Sequence, residues 1–241
     1  MNKNLKKPLG KKAYGSTPHL IGSRVGAAEH TVPEGQSELF TGIRSRRGDR
    51  FIVTEKIDGS CVAVAKHEGN VIALSRGGYL SEELTWPVHY KFGRWVEARK
   101  AYFDDMLMNG ERLAGEWLYT AMGTRYKISD PDKLLVGFSI INAKGRIPYD
   151  DFTSRLDQAE MLRAHVLSDG AAVSIEDTMK NLGEDGFHGA LDGVEGAVWV
   201  HEAKGKFQSI AKFVKHDKID GKYMPSISGE EEIVNYIGPE F

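Results

Sequence analysis

A single cysteine in 241 residues, Cys61, rules out an internal disulfide and accords with a reducing compartment. Long apolar runs are missing too. Nothing in the chain is long enough to span a bilayer, and its first residues lack the apolar core of a signal peptide. The expectation is a cytoplasmic protein with no membrane association. There is no internal repeat and no low-complexity tract. Neither sign of charge dominates, since 32 Lys and Arg stand against 34 Asp and Glu. What remains is an ordinary mixture, 41% hydrophobic and 27% charged, sufficient for a sizeable core.

The near-neutral total hides an uneven distribution. Residues 1–50 hold ten Lys/Arg against four Asp/Glu, a net of +6, which leaves −8 for the rest. Lys3, Lys6, Lys7, Lys11 and Lys12 form a basic N-terminal tail, and Arg44-Ser45-Arg46-Arg47 a second cluster. Such blocks attract phosphate backbones in a salt-dependent way. A solvated, disordered tail is the other reading of residues 1–18.

One stretch carries chemistry. In Glu55-Lys56-Ile57-Asp58-Gly59-Ser60 a lysine follows the apolar run Phe51-Ile52-Val53-Thr54, and Cys61-Val62-Ala63-Val64-Ala65 reads as the next strand. Asp58-Gly59 is suited to a tight turn, and glycine leaves room for a ligand near the backbone. The tetrapeptide recurs at Lys218-Ile219-Asp220-Gly221, and two copies cannot both supply a nucleophile. The downstream residues tell the two copies apart. After Lys56 come Arg76 at a strand end, Glu116 within an apolar run, Phe138 in Lys133–Ile141, Glu195 opening another strand, and Lys212 and Lys215 bracketing two apolar residues. After Lys218 about two dozen residues remain, so a surface turn is expected there.

A free lysine is almost fully charged at neutral pH, so a nucleophilic one needs cations or a metal nearby to oppose its proton. Lys212, Lys215, Arg76 and Mg²⁺ would do this if they converge, and would also neutralise a triphosphate. Mg²⁺ is often held by one or two carboxylates plus phosphate and water, so Glu195 suffices as its anchor.

In order and spacing this series resembles the covalent nucleotidyltransferases, that is, polynucleotide ligases and mRNA capping enzymes, over roughly residues 50–216. Lys56-Ile57-Asp58-Gly59-Ser60 is most similar to ATP-dependent RNA ligases of the phage type. Cys61 stands where other members carry arginine or asparagine, which leaves the exact substrate open. The resemblance implies an α+β fold, an antiparallel-sheet, ATP-grasp-like adenylation domain over residues 19–216. The basic tail of residues 1–18 would precede it, and a short extension over 217–241 would come after. That extension is too short for an OB barrel, so no OB-fold domain is expected.

The resemblance also implies the roles. Lys56 would attack the α-phosphate of ATP to form a lysyl-AMP phosphoramidate. Glu55 would read the adenine edge, with Ile57 among the nucleotide contacts. Arg76 and Glu116 would hold the ribose, and Phe138 would stack on the base. Glu195 would bind Mg²⁺, or Mn²⁺ in its place, and Lys212 with Lys215 would grip the α-phosphate. Two residues separate these lysines, so on one strand they point to opposite faces unless a bulge or strand end intervenes. His19, Ser23 and Arg24, in Pro18–Arg24, are good phosphate ligands and stand as a substrate-phosphate contact. The expected partner is RNA, with DNA as the alternative, and the expected state a monomer. A capping-type guanylyltransferase and a non-catalytic nucleic-acid-binding module are the competing readings.

Strands are expected at about 51–57, 61–66 and 70–75 in one antiparallel sheet, then at 112–118, 133–142, 195–201 and 207–215. Helices are expected over Leu84–Met108, Asp150–His165 and from Ile175. The glycine-rich stretch 183–196 reads as a loop bordering the site.

Overall fold

The computed structural model describes residues 5–44 and 46–239. Residues 1–4 of the basic tail (with Lys3), Ser45 of the arginine cluster and the last two residues of the 217–241 segment lie outside the described residues. In chain order, α1 (Glu34–Phe40) precedes strands β1 (Asp49–Lys56), β2 (Ser60–His67) and β3 (Asn70–Ser75). Helices α2 (Pro87–Glu97) and α3 (Lys100–Met106) come after these, then β4 (Arg112–Trp117), β5 (Leu135–Asn142) and the short β6 (Gly145–Arg146). Next are α4 (Tyr149–Gln158), β7 (Val166–Gly170), α5 (Ile175–Leu182), β8 (Gly196–Ala203), β9 (Lys206–Val214) and a final turn of helix, α6 (Pro225–Ser228).

The strands form two antiparallel sheets, one in the order β7-β1-β8-β9 and the other β3-β2-β4-β5-β6. The α+β antiparallel architecture is as expected, but β1 and β2 do not pair. The Ile57–Gly59 link carries the chain from one sheet to the other. The burial of β1 explains why: Ile52 packs into the main core, while Phe51 and Val53 pack on the opposite face with Leu20, Phe40 and Trp199. A strand covered on both faces belongs in the middle of a sheet, and β7 and β8 flank it there.

Two helices differ from expectation. The Leu84–Met108 segment breaks at Ala98–Arg99. Arg99 leaves the helical region there (φ −118°), and its guanidinium lies over the Trp95 ring and binds Asp132. Phe92 and Trp95 gather round Trp117 in the core, and Pro87 opens α2 as its first-turn residue. The helix expected through His165 stops at Gln158. Glu160 takes a positive φ, and Gly137 then exchanges hydrogen bonds with Leu162 O and Ala164 N. This extended stretch leads into β7, which covers the free edge of β1.

Described residues toward each end, Ala13 on one side and Asn235 and Tyr236 on the other, pack on the body. Ala13 is fully buried, and its carbonyl accepts Arg112 Nε–H at 2.6 Å. Asn235 donates to Leu118 O, and Tyr236 lies in the main core. Among the described residues no helix is long and apolar enough to cross a membrane.

Candidate active site

Lys56 is the last residue of β1 and lies opposite Gly196 in β8. A side chain at position 196 would run into the Phe213 carbonyl, so only glycine lets β8 approach β9 here. The preceding Glu195 reaches Lys56 Nζ at 2.6 Å. Burial works against a charged amine at Lys56, but the carboxylates of Glu195, Glu116 and Asp58 outweigh it and hold the ammonium above the ordinary lysine range.

A cavity of about 130 Å³ between the two sheets runs from Lys56 past Glu55, Ile57 and Phe138. It adjoins a wider groove of about 670 Å³, and Lys56, Cys61, Arg76, Glu116 and Lys212 line both. Glu116 faces Cys61 across the β2–β4 ladder. Its Oε2 is buried with no hydrogen-bond partner, and burial, reinforced by Glu195 and Asp58 against Lys56, pushes its carboxyl up to about 8. An unsatisfied buried acceptor of this kind fits a ligand hydroxyl. Burial likewise pushes the Cys61 thiol up, away from the thiolate form.

Glu55 borders the cavity while its carboxylate takes the Phe187 N–H at 2.8 Å, which ties the glycine-rich loop to the site. Burial raises it to about 7 despite the amide donors of Phe187 and His188. Phe138 presents its ring to Tyr14, centroids 4.9 Å apart in an edge arrangement, and Arg146 lies over the Tyr14 ring. Arg76 donates to Gly15 O and Ser16 Oγ at 3.2 Å and lines both spaces.

The two lysines of β9 part company. Lys212 enters the cleft and binds Glu29 at 2.5 Å. Lys215, one residue past the end of β9, pairs with Glu184 and Asp217 and lines neither space. The His19 segment joins the site through backbone bridges to Lys212. Ser23 is committed internally, accepting the Val214 N–H at 2.9 Å, and Arg24 is paired with Asp220.

Lys218, expected on a surface turn, is buried. Its Nζ donates to Asp192 O at 2.8 Å, Gly193 O at 2.6 Å and Thr124 Oγ1 at 3.3 Å. It fixes the loop that delivers Glu195, and of the two tetrapeptide lysines Lys56 is the one that lines the cleft. Among the described residues no three His, Cys, Asp or Glu side chains gather as a metal cage. A cation here would therefore rest on Glu195 and draw its other oxygens from phosphate and water, as hard divalent ions commonly do. Sequence reasoning missed Tyr14, Arg146 and Glu29. They sit in segments without periodicity, and only the tertiary fold brings them to the cleft.

A family model described as RNA ligase matches residues 49–214. No curated protein sequence matches the chain. Among solved structures, a Naegleria gruberi RNA ligase with PPi is similar with a TM-score of 0.59 and 14% identity, over 95% of this chain and 64% of that one. A Naegleria gruberi RNA ligase mutant with ATP and Mn gives 0.53 and 18%, over 83% and 60%. An archaeal ATP-dependent RNA ligase gives 0.53 and 16%, over 84% and 48%. At these identities the likeness is one of fold, and the chain spans roughly half to two thirds of the length of those ligases. The family match runs from β1 through β9 and takes in both sheets and the lysine cleft, so the chain belongs to the RNA ligase family.

Proposed function

We propose that this chain performs the nucleotidyl-transfer chemistry of an ATP-dependent RNA ligase. In this reading Lys56 takes AMP from ATP and passes it to an RNA 5′-phosphate, from which a 3′-hydroxyl displaces it. The observation that carries the reading is the Lys56 amine in a cleft, 2.6 Å from Glu195 and bordered by a cavity with an aromatic wall.

The first step forms a bond from Lys56 Nζ to the α-phosphorus and breaks the bond from that phosphorus to the bridging oxygen, releasing pyrophosphate. The ammonium must first give up a proton, and Glu195 is the acceptor in contact with it. Phe138 and Tyr14 offer aromatic surface to the adenine, beside Glu55 and Ile57. The free Glu116 oxygen and the Arg76 guanidinium suit the ribose hydroxyls. Lys212 is placed for the phosphates, whereas Lys215 would have to leave Glu184 to join it. A divalent cation such as Mg²⁺ or Mn²⁺, held by Glu195, would supply positive charge against the triphosphate and against the Lys56 proton. The related ligases solved with ATP and Mn or with PPi support this reading. The proposed substrate is RNA, and the proposed enzyme a monomer working in the cytoplasm.

Covalent labelling tests it. Protein freed of bound AMP is incubated with α-labelled ATP or GTP and Mg²⁺, denatured and assayed for retained label. Acid-labile label from ATP, absent in Lys56→Ala and discharged onto 5′-phosphorylated RNA rather than matched DNA, is the expected result. Label from GTP alone points to capping chemistry, and no label on folded protein overturns the enzyme reading.

A further inference from the structure

The groove beside the cavity contains a carboxylate that adenylation does not require. Glu29, in the loop before α1, lines this groove together with Lys56 and Lys212. Its Oε1 binds Lys212 Nζ at 2.5 Å, while its Oε2 accepts the Gly26 N–H at 3.1 Å and faces His19 Nε2, also at 3.1 Å. Burial alone would raise this carboxyl, but Lys212, His19 and the Gly26 amide hold it down to about 2, so it stays ionised at any working pH.

His19 is only 1% exposed. Its Nε2 is buried and out of line for a hydrogen bond with Glu29 despite their closeness. On the other side of the ring, Ser23 Oγ takes the Val214 N–H and lies 2.7 Å from Nδ1 but 3.3 Å from Arg24 O. Giving the hydroxyl proton to the nearer acceptor leaves the ring proton on Nε2, 3.1 Å from Glu29 Oε2. An ammonium, an imidazole N–H and a loop amide thus converge on one negative group. That donor set suits a phosphate, which offers more charge and more acceptor oxygens than a carboxylate.

We propose that Lys212, His19 and the Gly26 amide form a phosphate subsite that the protein's own Glu29 fills until substrate displaces it. The inference rests on the ligase reading insofar as Lys212 serves the substrate. It adds a built-in competitor to that site. Glu29 can depart without opening the core, because Val25 and the stretch from Ala27 to His30 are exposed. The phosphate belongs either to the nucleotide tail or to an RNA 5′ end.

Binding measurements test the subsite without chemistry at Lys56, so a protein that takes no label can still pass. Wild type, Glu29→Gln and Glu29→Ala are titrated with inorganic pyrophosphate, with a short 5′-phosphorylated RNA and with its 5′-hydroxyl counterpart. Their melting temperatures are recorded without ligand as a check on folding. We expect either Glu29 variant to bind one phosphate probe about tenfold more tightly, the scale of a hydrogen bond to a charged group. Adding His19→Ala should abolish the gain. A gain for pyrophosphate alone assigns the subsite to the nucleotide tail, and one for 5′-phosphorylated but not 5′-hydroxyl RNA assigns it to the strand end. No gain with any probe, or a gain that survives His19→Ala, overturns the proposal.

Discussion

Glu116 is where the electrostatics of the cleft are easiest to test. Its carboxyl is raised from an ordinary 4.5 to about 8 in the folded chain, so the folded protein binds a proton that the unfolded chain gives up. Folding therefore loses stability as pH rises from about 4.5 to about 8 and loses no more above that. Ligand-free wild type should melt progressively below Glu116→Gln across this window, and parallel melting curves would refute the assignment. The same substitution removes one of the carboxylates that keep Lys56 protonated. An amine-reactive probe applied without metal should then modify Lys56 at lower pH in Glu116→Gln than in wild type, as mapped by peptide mass spectrometry. Glu116 and Glu195 stood out in the sequence because a charge at an apolar run needs a reason to be there, and Lys56 because it falls between a strand and the Asp58-Gly59 turn with an ordered series of charges after it. Glu29 and Tyr14 did not. An exposed loop glutamate and a tyrosine in a basic segment carry no local signal, and both acquire meaning only through partners 183 and 132 residues away.

Among the elements, the β8–β9 hairpin bears the tightest constraint. Any Cβ at Gly196 would run into the Phe213 carbonyl, a backbone atom that cannot move without breaking the ladder. Gly196→Ala should cost more than about 3 kcal/mol, read as a fall in denaturation midpoint, and should abolish labelling by displacing Glu195. The strand positions themselves were readable from short apolar runs, and β2 and β3 form the adjacent pair expected of them. Which strand pairs with β1 was not readable. Its partners β7 and β8 lie more than a hundred residues downstream, and β7 starts just past the helix expected over Asp150–His165, in a stretch where no strand was expected. The break between α2 and α3 was equally silent, since Ala98 and Arg99 are good helix formers and the break is set by tertiary contacts.

At the scale of the whole molecule, the described segment around Val234–Tyr236 is part of the body rather than an attachment to it. Thr120 bridges to Val234 and Ile128 to Tyr236, and Asn235 also accepts the Tyr126 N–H. Truncation after Asp217 would strip these partners and the buried Lys218 together, and should leave a protein with no cooperative melting transition. Lys218→Met is the milder cut. It leaves the Asp192 and Gly193 carbonyls without their donor, with an expected cost of at least about 2 kcal/mol and slower labelling, while the pH at which Lys56 reacts should stay close to that of wild type.

The three-residue Ile57–Gly59 link places the reactive amine beside a covalent joint between the two sheets. When one plate turns against another about such a joint, displacement grows with distance along the lever arm and is smallest at the fulcrum. Rotation of the sheets would thus widen the parts of the cleft remote from the link far more than it would shift Lys56. The nucleophile could keep its aim while the bay in front of it changes width.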